Sequence, residues 1–400
     1  MKKNFKLALI IALLIAVAAV SFGILRLHNA RNEKAAGNAD GVAAEQLNDG
    51  ACASPLATLF FASDYQFEEG FDEPSATLGN ILTAARADSK TIDEVVMCGD
   101  YSNEYKLYDY QVSPDEATEE VRNVVREALA LDEANGSPVM FVQGNHDKMT
   151  ELLTPSGLYE RENYLIYILN TEEDFPWKQG KTAGCLAKVR RSSAELKECL
   201  DDLIQKGETR PLFIAGHVPL HFTARTSSRH NTGDNLYSSL IFDVVNEAAK
   251  SLDIVYLFGH NHSKGWDCYL GGSTVYMAEG DPILIPRFNE TDITSDEFTQ
   301  ETLNFTYMNA GYSGYYMNCA PEEYDPADPD RYSAADGALT GTVFEIYGDR
   351  INVTRYDTEG VHELGHAGEA DPYKGGIDAG LIGPEHYSAE TGSPQEIKRK

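Results

Sequence analysis

Basic residues are scarce in this chain. Lysine and arginine number 33 against 63 aspartates and glutamates, a formal charge of −30 at pH 7. Phosphate backbones and anionic lipid surfaces are bound by lysine and arginine displacing counterions, so this balance argues against a nucleic acid polymer as partner. Close cysteine pairs are missing too: none of the six cysteines forms a CxxC, which removes zinc ribbons and dithiol redox motifs of that spacing. No internal repeat is present. Apolar residues are not lacking. At 400 residues, 42% hydrophobic and 10% aromatic, the chain can bury a sizeable core and is not disordered.

The charge that is present at the amino end has a purpose. Lys2, Lys3 and Lys6 precede an uncharged apolar run, Leu7 to Leu25, about 28 Å long as a helix and close to the thickness of a bilayer core. Residues 1–28 are therefore expected to be a membrane anchor or signal segment, and 29–53 a polar tether. Basic residues before the run place the amino terminus in the cytoplasm and the body outside. The run continues past the small-residue site Ala16-Val17-Ala18, which favours an anchor over a cleaved signal; cleavage would give a secreted protein. All six cysteines follow the run, where disulfides persist. Cys185 with Cys199, and Cys268 with Cys319, are candidate bridges, and Cys98 is a buried thiol.

Beyond the tether, short apolar runs alternate with helical patterns. Strands are expected at Leu56–Ala62, Glu94–Cys98, Pro138–Val142, Tyr164–Leu169, Leu212–Ala215 and Ile254–Phe258, and helices at Thr77–Ala87, Asp115–Ala134, Ser193–Lys206 and Ser239–Ser251. From Ser273 the pattern is strands alone, with Gly341–Tyr347 and Ile351–Tyr356 reading as a hairpin. The alternation predicts an α/β protein. Its body is 54–358, the Asp- and Pro-rich stretch from Ile285 to Pro329 reads as an inserted loop, and 359–400 as a polar tail.

Five short motifs follow five of these strands in order: Ser63-Asp64-Tyr65-Gln66, Gly99-Asp100, Gly144-Asn145-His146-Asp147, Gly216-His217 and Gly259-His260-Asn261-His262. Oxygen and imidazole donors delivered from strand ends to one rim imply a metal site. Hydrolysing a phosphate ester requires a nucleophile at neutral pH and compensation for phosphoryl charge, and two neighbouring cations supply both. Each glycine is expected to let the backbone turn tightly as it leaves its strand.

The order and composition of these motifs resemble the calcineurin-like metallophosphoesterase family over Asp64 to His262, about half of the chain. The resemblance implies two packed mixed sheets flanked by helices, a four-layer α/β/β/α sandwich. It also implies two divalent or trivalent ions, of which manganese, iron or zinc are expected. Asp64, Gln66 and His262 would serve one ion, Asn145, His217 and His260 the other, with Asp100 bridging. His146 would contact the phosphate and protonate the leaving group. The substrate would be a small phosphomonoester or phosphodiester attacked by a metal-bridging hydroxide. Two positions depart from the family: Gln66 replaces the usual histidine and gives a weaker neutral donor, and Asn103 stands where an acid often orients the catalytic histidine, a task that could pass to Asp147. A degenerate member that only binds a phosphorylated ligand is the alternative. His221 is expected to be structural or to support the metal ligands from behind.

A competing motif lies near the end: His362-Glu363-Leu364-Gly365-His366 matches the HExxH of zinc proteases, which requires a helix. Gly360, Gly365, Gly368 and Pro372 crowd the segment, so a solvated tail is the expectation.

Overall fold

The computed structural model describes residues 54–67, 73–102, 112–131, 139–147, 151–171, 183–221, 237–260, 275–288, 298–314, 339–362, 365–366 and 395–400. The expected anchor and tether lie outside them, as do Asn103, His262 and the proposed partner Cys319. Among the described residues no helix is long and apolar enough to cross a membrane.

Strands β1 (Ala57–Ala62), β2 (Glu94–Met97) and β3 (Val139–Phe141) alternate with helices α1 (Glu73–Ala87) and α2 (Pro114–Ala128). Then come β4 (Gly157–Glu160), β5 (Leu165–Ile168), α3 (Ala183–Lys206), β6 (Leu212–Ala215), α4 (Ser238–Ala248) and β7 (Ile254–Phe258). The remaining elements are strands: β8 (Val275–Met277), β9 (Pro282–Pro286), β10 (Phe298–Thr302), β11 (Thr306–Asn309), β12 (Gly341–Ile346), β13 (Arg350–Tyr356), β14 (Val361–His362), β15 (Gly365–His366) and β16 (Gln395–Lys398).

Two seven-stranded mixed sheets result. The first runs β14-β13-β12-β1-β2-β3, with β16 also on β13; the second runs β15-β8-β11-β7-β6-β5-β4. β1, β2 and β3 are parallel, as are β5, β6, β7 and β11. The period-two alternation of a strand sorts side chains to the two faces. Phe60 and Ala62 of β1 pack with α1 and α2, whereas Leu59 and Phe61 face the second sheet. Phe61 stacks on Phe213 at 5.6 Å and meets Phe344 edge-on at 5.4 Å. Helices α3 and α4 cover the outer face of the second sheet through Leu196, Leu200, Phe242 and Val245. The layers are therefore α/β/β/α, as expected, and strands buried on both faces read as continuous apolar runs.

Local chemistry fixes the helix ends. Ser113 caps α2 in a reciprocal capping box with Glu116, and Pro114 opens it. The helix ends at Ala128 rather than the expected Ala134 because Ala130 adopts φ 54°. Helix α3 starts ten residues earlier than its apolar stripe suggested, since only the half carrying Leu196, Leu200 and Leu203 packs deeply.

Three expectations are corrected. The stretch read as an inserted loop holds β10 and β11, and β11 lies inside the second sheet between β7 and β8; four residues flanked by polar ones give too short a pattern to read. The polar tail returns to the fold, with β16 pairing β13 so that Ile397 opposes Ile351. The Cys185–Cys199 bridge fails on geometry. Both residues lie on α3, fourteen positions or roughly 21 Å apart along a helix, far beyond disulfide reach, and Cys199 is a free thiol.

Candidate metal centre

The five motifs leave the ends of β1, β2, β3, β6 and β7, at one rim shared by both sheets. Beyond β1 and β2 the chain continues to pair: the Asp64 amide donates to the Gly99 carbonyl at 2.9 Å, Gln66 to Asp100 at 3.0 Å and Phe67 to Tyr101 at 2.7 Å. In this zipped segment Asp64 (φ 52°), Gln66 (52°) and Asp100 (59°) occupy the left-handed region, as does His260 (67°) after β7. Each such residue costs on the order of 1–3 kcal/mol and persists only where its surroundings over-determine it. Asp147 supplies that constraint at Asp100. Its carboxylate accepts the backbone amides of Asp100, Tyr101 and Gly144, each at 2.8 Å, clasping the β2 and β3 loops together. It therefore holds backbone rather than orienting the His146 imidazole, the task suggested by its place in the motif.

The glycines answer to crowding as well as to turning. A Cβ on Gly99 (φ 92°) would lie 2.5 Å from His217 Nδ1 and 2.8 Å from Gly144 Cα, and one on Gly144 would overlap the amide and Oδ1 of Asp100.

Around Asp100 the side chains close in. His217 Nε2 is 3.3 Å from Asp100 Oδ2 and His146 Nε2 is 3.9 Å from it. Gln66 Nε2 donates to the same oxygen at 3.2 Å, and the His146 amide donates to Oδ1 at 2.8 Å. One ligand atom each from Asp100, His217 and His260 lie within 4.8 Å of one another. Asp64 Oδ2 accepts the His260 amide at 2.9 Å, which joins a residue of the first sheet to one of the second. The structure thus brings together Asp64, Gln66, Asp100, Asn145, His146, His217 and His260; His262 lies outside the described residues. His221 is buried elsewhere, with Nδ1 2.7 Å from the Tyr307 hydroxyl and its ring against Phe258, a structural setting.

These residues fit a cation. His217 Nδ1 lies 2.7 Å from the Cys98 carbonyl, which can only accept, so Nδ1 carries a proton and Nε2 is the nitrogen that faces the site. That nitrogen is 3.0 Å from Asn145 Oδ1, a contact that a proton or a cation between the two makes favourable. The oxygen Oε1 of Gln66 is buried with no hydrogen-bond partner. Burial alone would lower the His217 imidazole, but the Asp100 carboxylate beside it pushes it up to about 10. Burial likewise raises the Asp100 carboxyl, and His217 and His146 more than reverse this, leaving it well below the carboxylate range. The same negative field around Asp100 favours a cation beside it.

Sequence reasoning missed the clasp by Asp147 and gave no task to Ser63, whose hydroxyl is 2.6 Å from Asp64 Oδ2. The signal for the first was its position three residues after Gly144, within reach of backbone amides on both loops.

A sandwich of this kind with a rim of carboxylate, amide and imidazole donors defines a metal-dependent phosphoric ester hydrolase. The sequence profile of the calcineurin-like phosphoesterase family matches residues 59–264, just over half of the chain, and the protein belongs to that family. Among solved structures it is similar to a dimetal phosphatase from Danio rerio at 9% identity, over 78% of this chain and 99% of that one, with a TM-score of 0.39. It is also similar to Yfce, a phosphoesterase from E. coli, at 12% identity, over 74% and 92% of the two chains, with a TM-score of 0.27. No curated protein sequence matches the chain.

Proposed function

We infer that this metal-dependent phosphoesterase hydrolyses a small phosphomonoester or phosphodiester at a two-metal centre, on the outer side of a membrane to which residues 1–28 tether it. The carrying observation is Asp100, whose Oδ2 faces His217 at 3.3 Å and His146 at 3.9 Å from opposite motifs. Asp64, Gln66 and His262 would hold one ion and Asn145, His217 and His260 the other, with Asp100 able to serve both. When bound, the ions supply charge compensation for the phosphoryl oxygens and a nucleophile at neutral pH. His146 carries the proton for the departing oxygen, and Asp100, which accepts its backbone amide, fixes where that imidazole starts. Gln66 offers a neutral oxygen in place of an imidazole, which favours a harder ion such as manganese or iron over zinc at the first site. The acid excess of the chain favours a small substrate over a polyanion.

Turnover of an artificial phosphodiester by the full chain, with metal content measured on the same samples, tests this. Wild type loaded with manganese is expected to turn over, Asp100→Asn to lose both metal and activity, and His146→Ala to keep metal while losing activity. Gln66 also supports a second reading, a member that binds phosphorylated ligands without cleaving them. That reading wins if loaded wild type is as inert as His146→Ala. Protease protection of the body in sealed vesicles checks the orientation.

A further inference from the structure

Ser63 is fully buried one position before Asp64. Its hydroxyl is 2.6 Å from Asp64 Oδ2 and 2.5 Å from the carbonyl oxygen of Gly311, although that hydroxyl has a single proton and both neighbours accept. Gly311 sits in the turn that follows β11 in the opposite sheet. That turn is fixed at every residue: Arg355 Nη2 donates to the Asn309 carbonyl at 2.8 Å, Thr342 Oγ1 to the Ala310 carbonyl at 2.8 Å, and the Gly311 amide to Asn309 Oδ1 at 2.8 Å. Gly311 has φ 117°, and a Cβ there would overlap the Thr340 carbonyl, so no other residue fits. Ser63 is itself held from this side, its carbonyl accepting the amide of Ser313 at 3.0 Å and the hydroxyl of Ser313 at 3.1 Å.

The one Ser63 proton, shared in a three-centre bond between Asp64 Oδ2 and the Gly311 carbonyl, and the His260 amide at 2.9 Å reach Asp64 Oδ2 from two directions. A carboxylate engaged twice through one oxygen cannot rotate without losing both contacts. We propose that Ser63 is a positioning residue: braced against the Gly311 turn, it sets the rotation of the Asp64 carboxylate and assigns metal donation to Oδ1. The brace spans both sheets, so docking of the sandwich is what orients the ligand. It rests on the metal-centre reading above. Residues that orient a metal ligand typically contribute 10- to 100-fold in metal affinity.

The test is calorimetric titration of manganese into the metal-stripped full chain. Ser63→Ala is expected to weaken binding roughly 10- to 100-fold while the melting temperature of the stripped protein stays close to wild type. Asp100→Asn runs beside it. If Asp100→Asn loses binding and Ser63→Ala does not, the brace is overturned and the metal centre stands. Unchanged binding in Asp100→Asn overturns the metal centre itself. Should Ser63→Ala fail to fold, Thr342→Val loosens the same turn from its other side and is judged by the same loss of affinity.

Discussion

His217 and Cys98 are joined by a hydrogen bond of 2.7 Å between the imidazole Nδ1 and the backbone carbonyl oxygen. A residue of one sheet thereby places a proton on Nδ1 of a candidate ligand from the other. The bond cannot be removed by changing the Cys98 side chain, because the acceptor is backbone. Cys98→Ala is therefore expected to bind manganese as wild type does, whereas His217→Ala loses more than the roughly 100-fold that marks loss of an outer partner alone. Titration of both variants checks this, and weak binding in Cys98→Ala would count against it.

Gly144→Ala should be far more damaging than a glycine substitution elsewhere. Its Cβ would fall on the amide and Oδ1 of Asp100, whereas a Cβ on Gly348 meets nothing within 4 Å. Gly144→Ala is expected to cost at least the roughly 1–3 kcal/mol of an overpacked core and to abolish metal binding. Gly348→Ala should sit within about 0.5 kcal/mol of wild type. Denaturant melts and metal content measure the two effects.

Acid stability has a contributor remote from the site. Glu208 accepts the Nε of Arg210 at 2.9 Å and its Nη2 at 2.7 Å, and this pairing holds the Glu208 carboxyl down at about 2 against an ordinary 4.5. A depressed folded-state value means stabilisation that is fully present above the unfolded value and is lost as pH falls through the folded one. The stability difference between wild type and Glu208→Gln should thus be constant above about pH 5 and shrink between about pH 4.5 and 2. A difference that grows on acidification would contradict the assignment.

The two histidines of the HExxH motif do not share a helix. His362 lies in β14, which pairs β13 in the first sheet, and His366 in β15, which pairs β8 in the second. The protease geometry requires both on one face of a helix. Glu363→Gln is expected to leave metal content and phosphoesterase activity unchanged and to remove no peptidase activity.

The convergence of Asp64, Asp100, Asn145, His146, His217 and His260 was legible because their chemistry is written in residue type and each motif follows an apolar run. How those residues are held was not. The clasp by Asp147 and the brace from Gly311 to Ser63 depend on which donor meets which acceptor across 46 and 248 positions of chain, and spacing carries no such information. The same limit hid β11 and β16. A strand of four residues such as Thr306–Asn309 or Gln395–Lys398 is defined by its neighbours in the sheet, and its own periodicity is too short to mark it. Gly144 was singled out for the right position and an incomplete reason, since crowding by Asp100 is invisible until the loops meet.

Asp64, Gln66, Asp100 and Asn145 emerge from one sheet and His217 and His260 from the other. Neither half, folded alone, would own more than a fragment of the donor set. An ion held by that set would therefore join the two layers at the rim and oppose their separation. Stripping the ions should accordingly loosen the interface between sheets before it disturbs either sheet's own ladder.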